Sequence, residues 1–338
     1  MGANSKSSSI SLDVAAVIWA AVVLWAVILG MRAELGGSRF FLALGILAAL
    51  FAFELFLATP LLQERFTRAF GNRGGMLAPL IPLFAVLLYC SSVTSNWVTL
   101  LAGAGYAVIV PLLLASSRGK PAGTWEDFAA VIALWAPVGL PQPYRLLYRV
   151  FPYPPPLTHT YAILMAISTG VAAFVLLRQL PGVGYALEWR RGFAWNFAFH
   201  FIVYAAIAIP LGIEIGFLTW HPSLPRIPAA ALSGIGSFIF STAGILLFTA
   251  WPEEFLFRGL LQNLLSKTLK SDWGGLLVAS IVFGFAHIFH APAPNWRYVL
   301  LATIAGIFYG RAWMKTGSLV PGVLVHATVD TLWHVLFR

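Results

Sequence analysis

The chain has little charge and almost no cysteine. Only 10% of its 338 residues are Asp, Glu, Lys or Arg, and just 12 are acidic, whereas a soluble domain is about 25% charged. That scarcity excludes an ordinary soluble fold for most of the chain. Cys90 is the single cysteine, so there is no intrachain disulfide and no multi-cysteine metal centre. Neither Gly-x-Ser-x-Gly nor His-Glu-x-x-His occurs, which removes the nucleophile elbow of a serine hydrolase and the helix of a zincin. No internal repeat is visible, so nothing points to the inverted halves of many transporters.

What is present is hydrophobic. Apolar residues make up 59% of the chain and the mean hydropathy is +0.84. Stretches of about 20 apolar residues, enough to cross a ~30 Å hydrocarbon core as helix, recur along the sequence. They predict an all-α, polytopic integral membrane bundle of about eleven transmembrane segments: 12–31, 39–59, 76–93, 97–115, 125–140, 158–177, 194–220, 229–266, 275–290, 297–315 and 318–337. The stretch 125–140 is short and contains Pro137, the signature of a re-entrant or interfacial segment as much as of a span. The first stretch is too long for a signal peptide and has no small-x-small cleavage site, so it reads as a retained helix.

The net charge of +9 does not imply a nucleic-acid partner, because the 21 Lys and Arg residues are spread over short loops. They read as topology signals. With the N-terminus in the cytoplasm, thirteen fall on the inner side, among them Arg65, Arg68, Arg73, Lys120, Arg178 and Arg190, and seven on the outer side. That bias favours an N-in, C-out chain. The Pro-rich stretch 141–156 is the expected boundary between an N-terminal transmembrane extension, 1–157, and a core, 158–338.

The core holds most of the ionisable groups expected at membrane depth. Even the mildest insertion scale charges about 2.5 kcal/mol for each, and such groups mark pairs, cavities and proton pathways. Glu254 and Arg258 are spaced i,i+4 and share a helix face, while Glu253 points about 100° away and is left free of that arginine. Taken alone, the pair also suits a structural salt bridge near a Pro252 kink. His287 follows Phe283 among apolar residues, a setting that equally fits a packing histidine. His326 and Asp330 are again i,i+4. Together the three segments predict a wet, polar pocket in which a carboxylate and an imidazole activate water and protonate a leaving amine, with a second histidine stabilising an oxyanion.

Glu253-Glu254-x-x-x-Arg258, Phe283-x-x-x-His287 and His326-x-x-x-Asp330, in this order, resemble the motif set of the CPBP family, the CAAX-prenyl-protease and bacteriocin-processing proteins that include the Rce1-type intramembrane glutamic proteases. Phe257-Arg258-Gly259 and Thr316-Gly317-Ser318-Leu319 agree with it. The likeness covers about residues 195–338. It implies an intramembrane endopeptidase without a metal cofactor, in which Glu253 and His287 activate water, His326 and Asp330 hold the oxyanion, and Glu254, Arg258 and Phe283 support them. The partners it implies are membrane lipids and a membrane-associated peptide or protein substrate, prenylated in one branch of the family. Asp330 departs from the Asn common at its position: an ionised Asp cannot donate to an oxyanion, so it is either protonated or accepts from His326 and fixes that ring's tautomer. Two other readings use the same residues. One makes Glu253, His287 and His326 ligands of a Zn²⁺ that activates water; the other keeps the fold as a scaffold or immunity-type protein without turnover.

Overall fold

The computed structural model describes residues 8–9, 11–141, 144–223 and 234–337. It is helical almost throughout; the described strands are the two-residue Ser8–Ser9 and Glu188–Trp189. Two compact units divide between Pro181 and Gly182. The expected boundary lay some 25 residues earlier, but the helix that follows the Pro-rich stretch packs within the first unit. Its residues from Thr160 to Leu177 are largely buried there.

The first unit contains α1 (Leu12–Arg32), α2 (Gly37–Leu57), α3 (Pro60–Leu77), α4 (Leu80–Tyr89), α5 (Trp97–Ser117), α6 (Trp125–Gly139), the short α7 (Leu146–Val150) and α8 (Thr158–Gly170). π-helical turns extend α4 to Thr94 and α8 to Leu177. The second unit contains α9 (Phe193–Glu214), the long α10 (Gly234–Leu269), α11 (Asp272–Phe285), α12 (Trp296–Thr316) and α13 (Leu319–Leu336).

Local sequence sets many of these limits. Ser11, Asn96, Ser271, Asn295 and Ser318 each accept a backbone N–H in the first turn of the helix they cap. Thr124 and Asp127 form a reciprocal capping box on α6. At the tight turn into α13, Gly317 takes φ +65° to close α12 and Ser318 opens the next helix.

Among the described residues, eight helices are long and apolar enough to cross a membrane, and the chain is an integral, multi-pass membrane protein. The remaining three of the eleven expected segments are helices of another kind. Those at 125–140 and 275–290 run for only 15 and 14 residues, about 21–23 Å at 1.5 Å per residue. The one at 297–315 is long enough but carries Arg297, Arg311 and Lys315, and it packs against α9, α11 and α13. There Gly284 lets α11 approach closely, since a Cβ would stand 2.7 Å from the Val299 carbonyl oxygen. Outward faces are apolar, as on α9, where Trp195 and Ile202 are exposed and His200, Tyr204 and Ala208 face inward. A helix apolar on its outer side as well suits lipid, not water.

Arg178, expected as a loop charge, is instead buried at the end of α8 in a clip with Asp127. Its Nε reaches Asp127 Oδ1 at 2.8 Å, and Nη2 donates to the Lys120 and Pro121 carbonyls at 3.0 Å each. Asp127 Oδ2 accepts from the Gly123 and Thr124 amides at 2.9 and 3.1 Å. The clip joins the start of α6 to the end of α8. Arg178→Met leaves a buried carboxylate without its cation and is expected to destabilise the protein by about 3–5 kcal/mol. Thermal unfolding in detergent measures this, and Arg178→Lys should recover part of the loss.

Candidate active site

The Glu254 carboxylate lies at the centre of the second unit, fully buried on α10. Arg258, one turn on, places Nε 3.1 Å from Glu254 Oε2, an i,i+4 ion pair in which both side chains are buried. The spacing predicted this pair. It did not predict the other half of the arrangement, in which Glu254 Oε1 accepts from His326 Nδ1 at 2.9 Å across from α13. Glu254 is thus held between a guanidinium and an imidazole. Pro252 opens the turn that carries it, and from Phe255 to Gln262 the helix widens into π turns, a departure frequent at functional sites.

Aromatic rings complete the setting of Arg258. Its guanidinium lies 4.4 Å from the Phe283 ring centre on α11 and 5.3 Å from that of Tyr309 on α12, within reach of cation–π attraction. Nη2 donates to the Gly306 carbonyl at 3.3 Å, while the buried Nη1 has no hydrogen-bond acceptor. Gly322 on α13 keeps this approach close: a Cβ there would stand 3.1 Å from Glu254 Oε2 and 3.2 Å from the Tyr309 carbonyl oxygen.

With Nδ1–H committed to Glu254, His326 presents Nε2 to two further carboxylates. Asp330 Oδ2 is 3.5 Å away and Glu253 Oε2 is 3.8 Å away. Tyr309 stacks on the same ring, with centres 4.7 Å apart and planes at 18°. Glu253 is partly exposed as a side chain, yet its Oε2 is shielded and has no hydrogen-bond partner. Glu254 Oε2 likewise lacks a hydrogen bond but faces the Arg258 guanidinium at 3.1 Å, whereas Glu253 Oε2 has only His326 Nε2, at 3.8 Å.

His287 lies just past the end of α11 instead of on a helix as expected. Its amide bonds to the Gly284 carbonyl at 3.0 Å, a tightened last turn that leaves the Phe283 carbonyl to accept from His287 Nδ1 at 2.8 Å. A carbonyl only accepts, so Nδ1 carries the proton and Nε2 keeps its lone pair. Tyr298 and His290 pack on the ring, with centres at 4.5 and 5.4 Å.

These residues border a cavity of about 80 Å³, room for a few waters given the roughly 10–15 Å³ that one requires. His287, His326, Asp330, Tyr204, Tyr298 and Tyr309 supply its polar lining; Phe201, Phe217 and Trp333 are among its apolar walls. Glu253 is not part of that lining and meets it through His326. Among the described residues, no three His, Cys, Asp or Glu side chains are grouped so that they could hold one metal ion.

Sequence reading missed Tyr298 and Tyr309. The signal for Tyr309 was available: Ala302, Ala305, Gly306, Tyr309 and Gly310 recur at i, i+3, i+4, i+7 and i+8, the pattern of a closely packed helix face. All five are buried.

Arg258→Leu removes the cation but leaves Glu254 buried, and should destabilise by about 3–5 kcal/mol. Glu253→Gln, which breaks no close ion pair, should change stability by less than about 1 kcal/mol. Parallel thermal unfolding of the two variants in one detergent separates the tied carboxylate from the free one; equal losses overturn the distinction.

Comparison with family models finds a match over residues 235–332 to the Rce1-like type II CAAX prenyl endopeptidases. Neither the curated proteins nor the solved structures hold a match to the chain. The matched stretch runs from the start of α10 to near the end of α13 and includes all three motifs. Over residues 235–332, the stretch that carries the buried network, the chain is therefore similar to the Rce1-like type II CAAX prenyl endopeptidases.

Proposed function

We propose that this protein is an intramembrane endopeptidase that hydrolyses peptide bonds of membrane-associated peptides or proteins, with water activated by Glu253 and His287. The observation that carries the reading is the unpaired Glu253 Oε2 lying 3.8 Å from Nε2 of His326, a residue that lines the polar cavity. A carboxylate shielded there without a structural partner is suited to take a proton from water. His287, with Nδ1 donated to a backbone carbonyl, offers Nε2 as a second acceptor at the same cavity.

In the proposed reaction, water entering the cavity gives a proton to Glu253 or to His287 Nε2 and its oxygen adds to the scissile carbonyl carbon. The carbonyl oxygen becomes an oxyanion, which His326 stabilises by donating from a protonated Nε2. Asp330, 3.5 Å from that nitrogen, favours the protonated ring and orients it, so its own carboxylate need not donate. Collapse of the intermediate breaks the C–N bond, and the proton taken from water passes to the leaving amine. Glu254, Arg258 and Phe283 hold His326 and the helix that carries Glu253. Prenylated CAAX-type substrates are the class that the name of the matched family suggests. The N-in, C-out orientation rests on the loop charges.

Two measurements test this. Glu253→Gln in purified protein should lower cleavage of a membrane-associated peptide by at least about a hundredfold, the low end of what a general base contributes; undiminished turnover eliminates the mechanism. Elemental analysis should find no stoichiometric zinc, and chelators should leave turnover unchanged. Activity lost to a chelator and restored by zinc favours the metal reading instead.

A further inference from the structure

The first unit carries a polar hollow and an apolar groove that meet on one helix pair, α2 and α4, whose residues have no part in the proposed chemistry. The start of α2 lies beside the end of the α4 extension, and the two run antiparallel. Ser38 and Arg39 share a hollow of about 360 Å³ with Ser92, Thr94 and Ser95. Arg39 is held in place there: Nε donates to the Val93 carbonyl at 2.7 Å and the guanidinium lies 4.1 Å from the Tyr153 ring centre. Neither contact uses its Nη groups, so a fixed cation with free donors faces a set of hydroxyls.

Leu42 borders this hollow and also the groove that continues along the helix pair. The groove measures about 480 Å³ and its lining is entirely apolar, from Phe41 to Leu50 on α2 and from Leu80 to Leu88 on α4. Nine residues of helix make it about 13 Å long. Gly45 forms its floor, and a Cβ there would meet nothing within 4 Å. Phe41 and Phe84 on its rim are exposed, as lipid-facing side chains are.

We propose that this helix pair binds one anionic phospholipid, its phosphate against Arg39 and the hydroxyls and an acyl chain along the groove over Gly45. A guanidinium with free N–H groups matches phosphate oxygens. Phosphate alone leaves the groove unused, and a neutral hydrocarbon leaves Arg39 unanswered. Only an amphiphile of one anionic head and a long chain uses both.

The test is native mass spectrometry of the full-length protein, delipidated in detergent and titrated with palmitoyl-oleoyl phosphatidylglycerol, the matching phosphatidylcholine or inorganic phosphate. One phosphatidylglycerol should bind at least about tenfold more tightly than phosphatidylcholine. Arg39→Gln should weaken it about tenfold, the loss of one charge-assisted contact, and Arg39→Lys should retain most of it. Gly45→Leu places a side chain into open space, so it should fold as the parent does and weaken binding by a similar factor. Three results overturn the proposal: unchanged binding in Gly45→Leu, which denies the groove; displacement of the lipid by millimolar phosphate, which makes the hollow a free-anion site; or equal retention of phosphatidylcholine, which makes the lipid non-selective. If Arg39→Gln fails to fold, Gly45→Leu and the choice between the two lipids still decide.

Discussion

The second unit is organised by one buried network, in which Glu254 is gripped by Arg258 from its own helix and by His326 from α13. Placing a guanidinium and a carboxylate out of water is unfavourable unless each finds its partner. The fold meets that condition with few atoms to spare: Arg258 lies against Phe283 and Tyr309, Gly306 supplies a carbonyl, and Gly322 leaves the space that Glu254 occupies. Four helices, α10 to α13, each contribute a residue to this cluster. Their mutual positions are thereby tied to its geometry, and the cavity that His287, His326 and Asp330 line is a consequence of where the network holds them.

That dependence separates two roles that look alike in the sequence. Adjacent glutamates on one helix turn are chemically identical, and only their surroundings distinguish them. Glu254 has every reason to be where it is without any chemistry. Glu253 has none: no cation answers it closely, and its nearest basic neighbour is a histidine already engaged on its other nitrogen. A carboxylate kept in such a place is informative because the fold does not need it there.

Much of this was legible from residue spacing. The i,i+4 pairs Glu254/Arg258 and His326/Asp330 appear as read, because helical geometry alone decides which side chains share a face. The multi-pass helical class followed from hydropathy. What spacing does not encode is contact between helices, so the bond from His326 to Glu254, the stacking of Tyr309 and the roof that Tyr298 forms over His287 needed the fold. The eleven expected segments outnumber the eight helices that are long and apolar enough among the described residues: the Arg and Lys residues of α12 reduce its hydropathy, while the 14 residues of α11 end at Phe285, before the apolar run does. Arg178 misled in the other sense. A cation at a predicted helix end looks like a loop charge until the Asp127 it serves, 51 positions earlier, is seen beside it.

The early end of α11 has a meaning beyond length. In an unbroken helix the Phe283 carbonyl would also accept from the amide of His287; because the last turn tightens onto Gly284, that amide turns away and the oxygen accepts from the imidazole Nδ1. The backbone of the terminating helix thus selects the tautomer of the histidine, work that in many sites is given to a dedicated side chain. His200 and His334 make the same Nδ1 contact to the carbonyl four residues back from within continuous helices, at 2.7 Å each; at His287 the helix ends instead, and the carbonyl that fixes the tautomer no longer serves the amide as well.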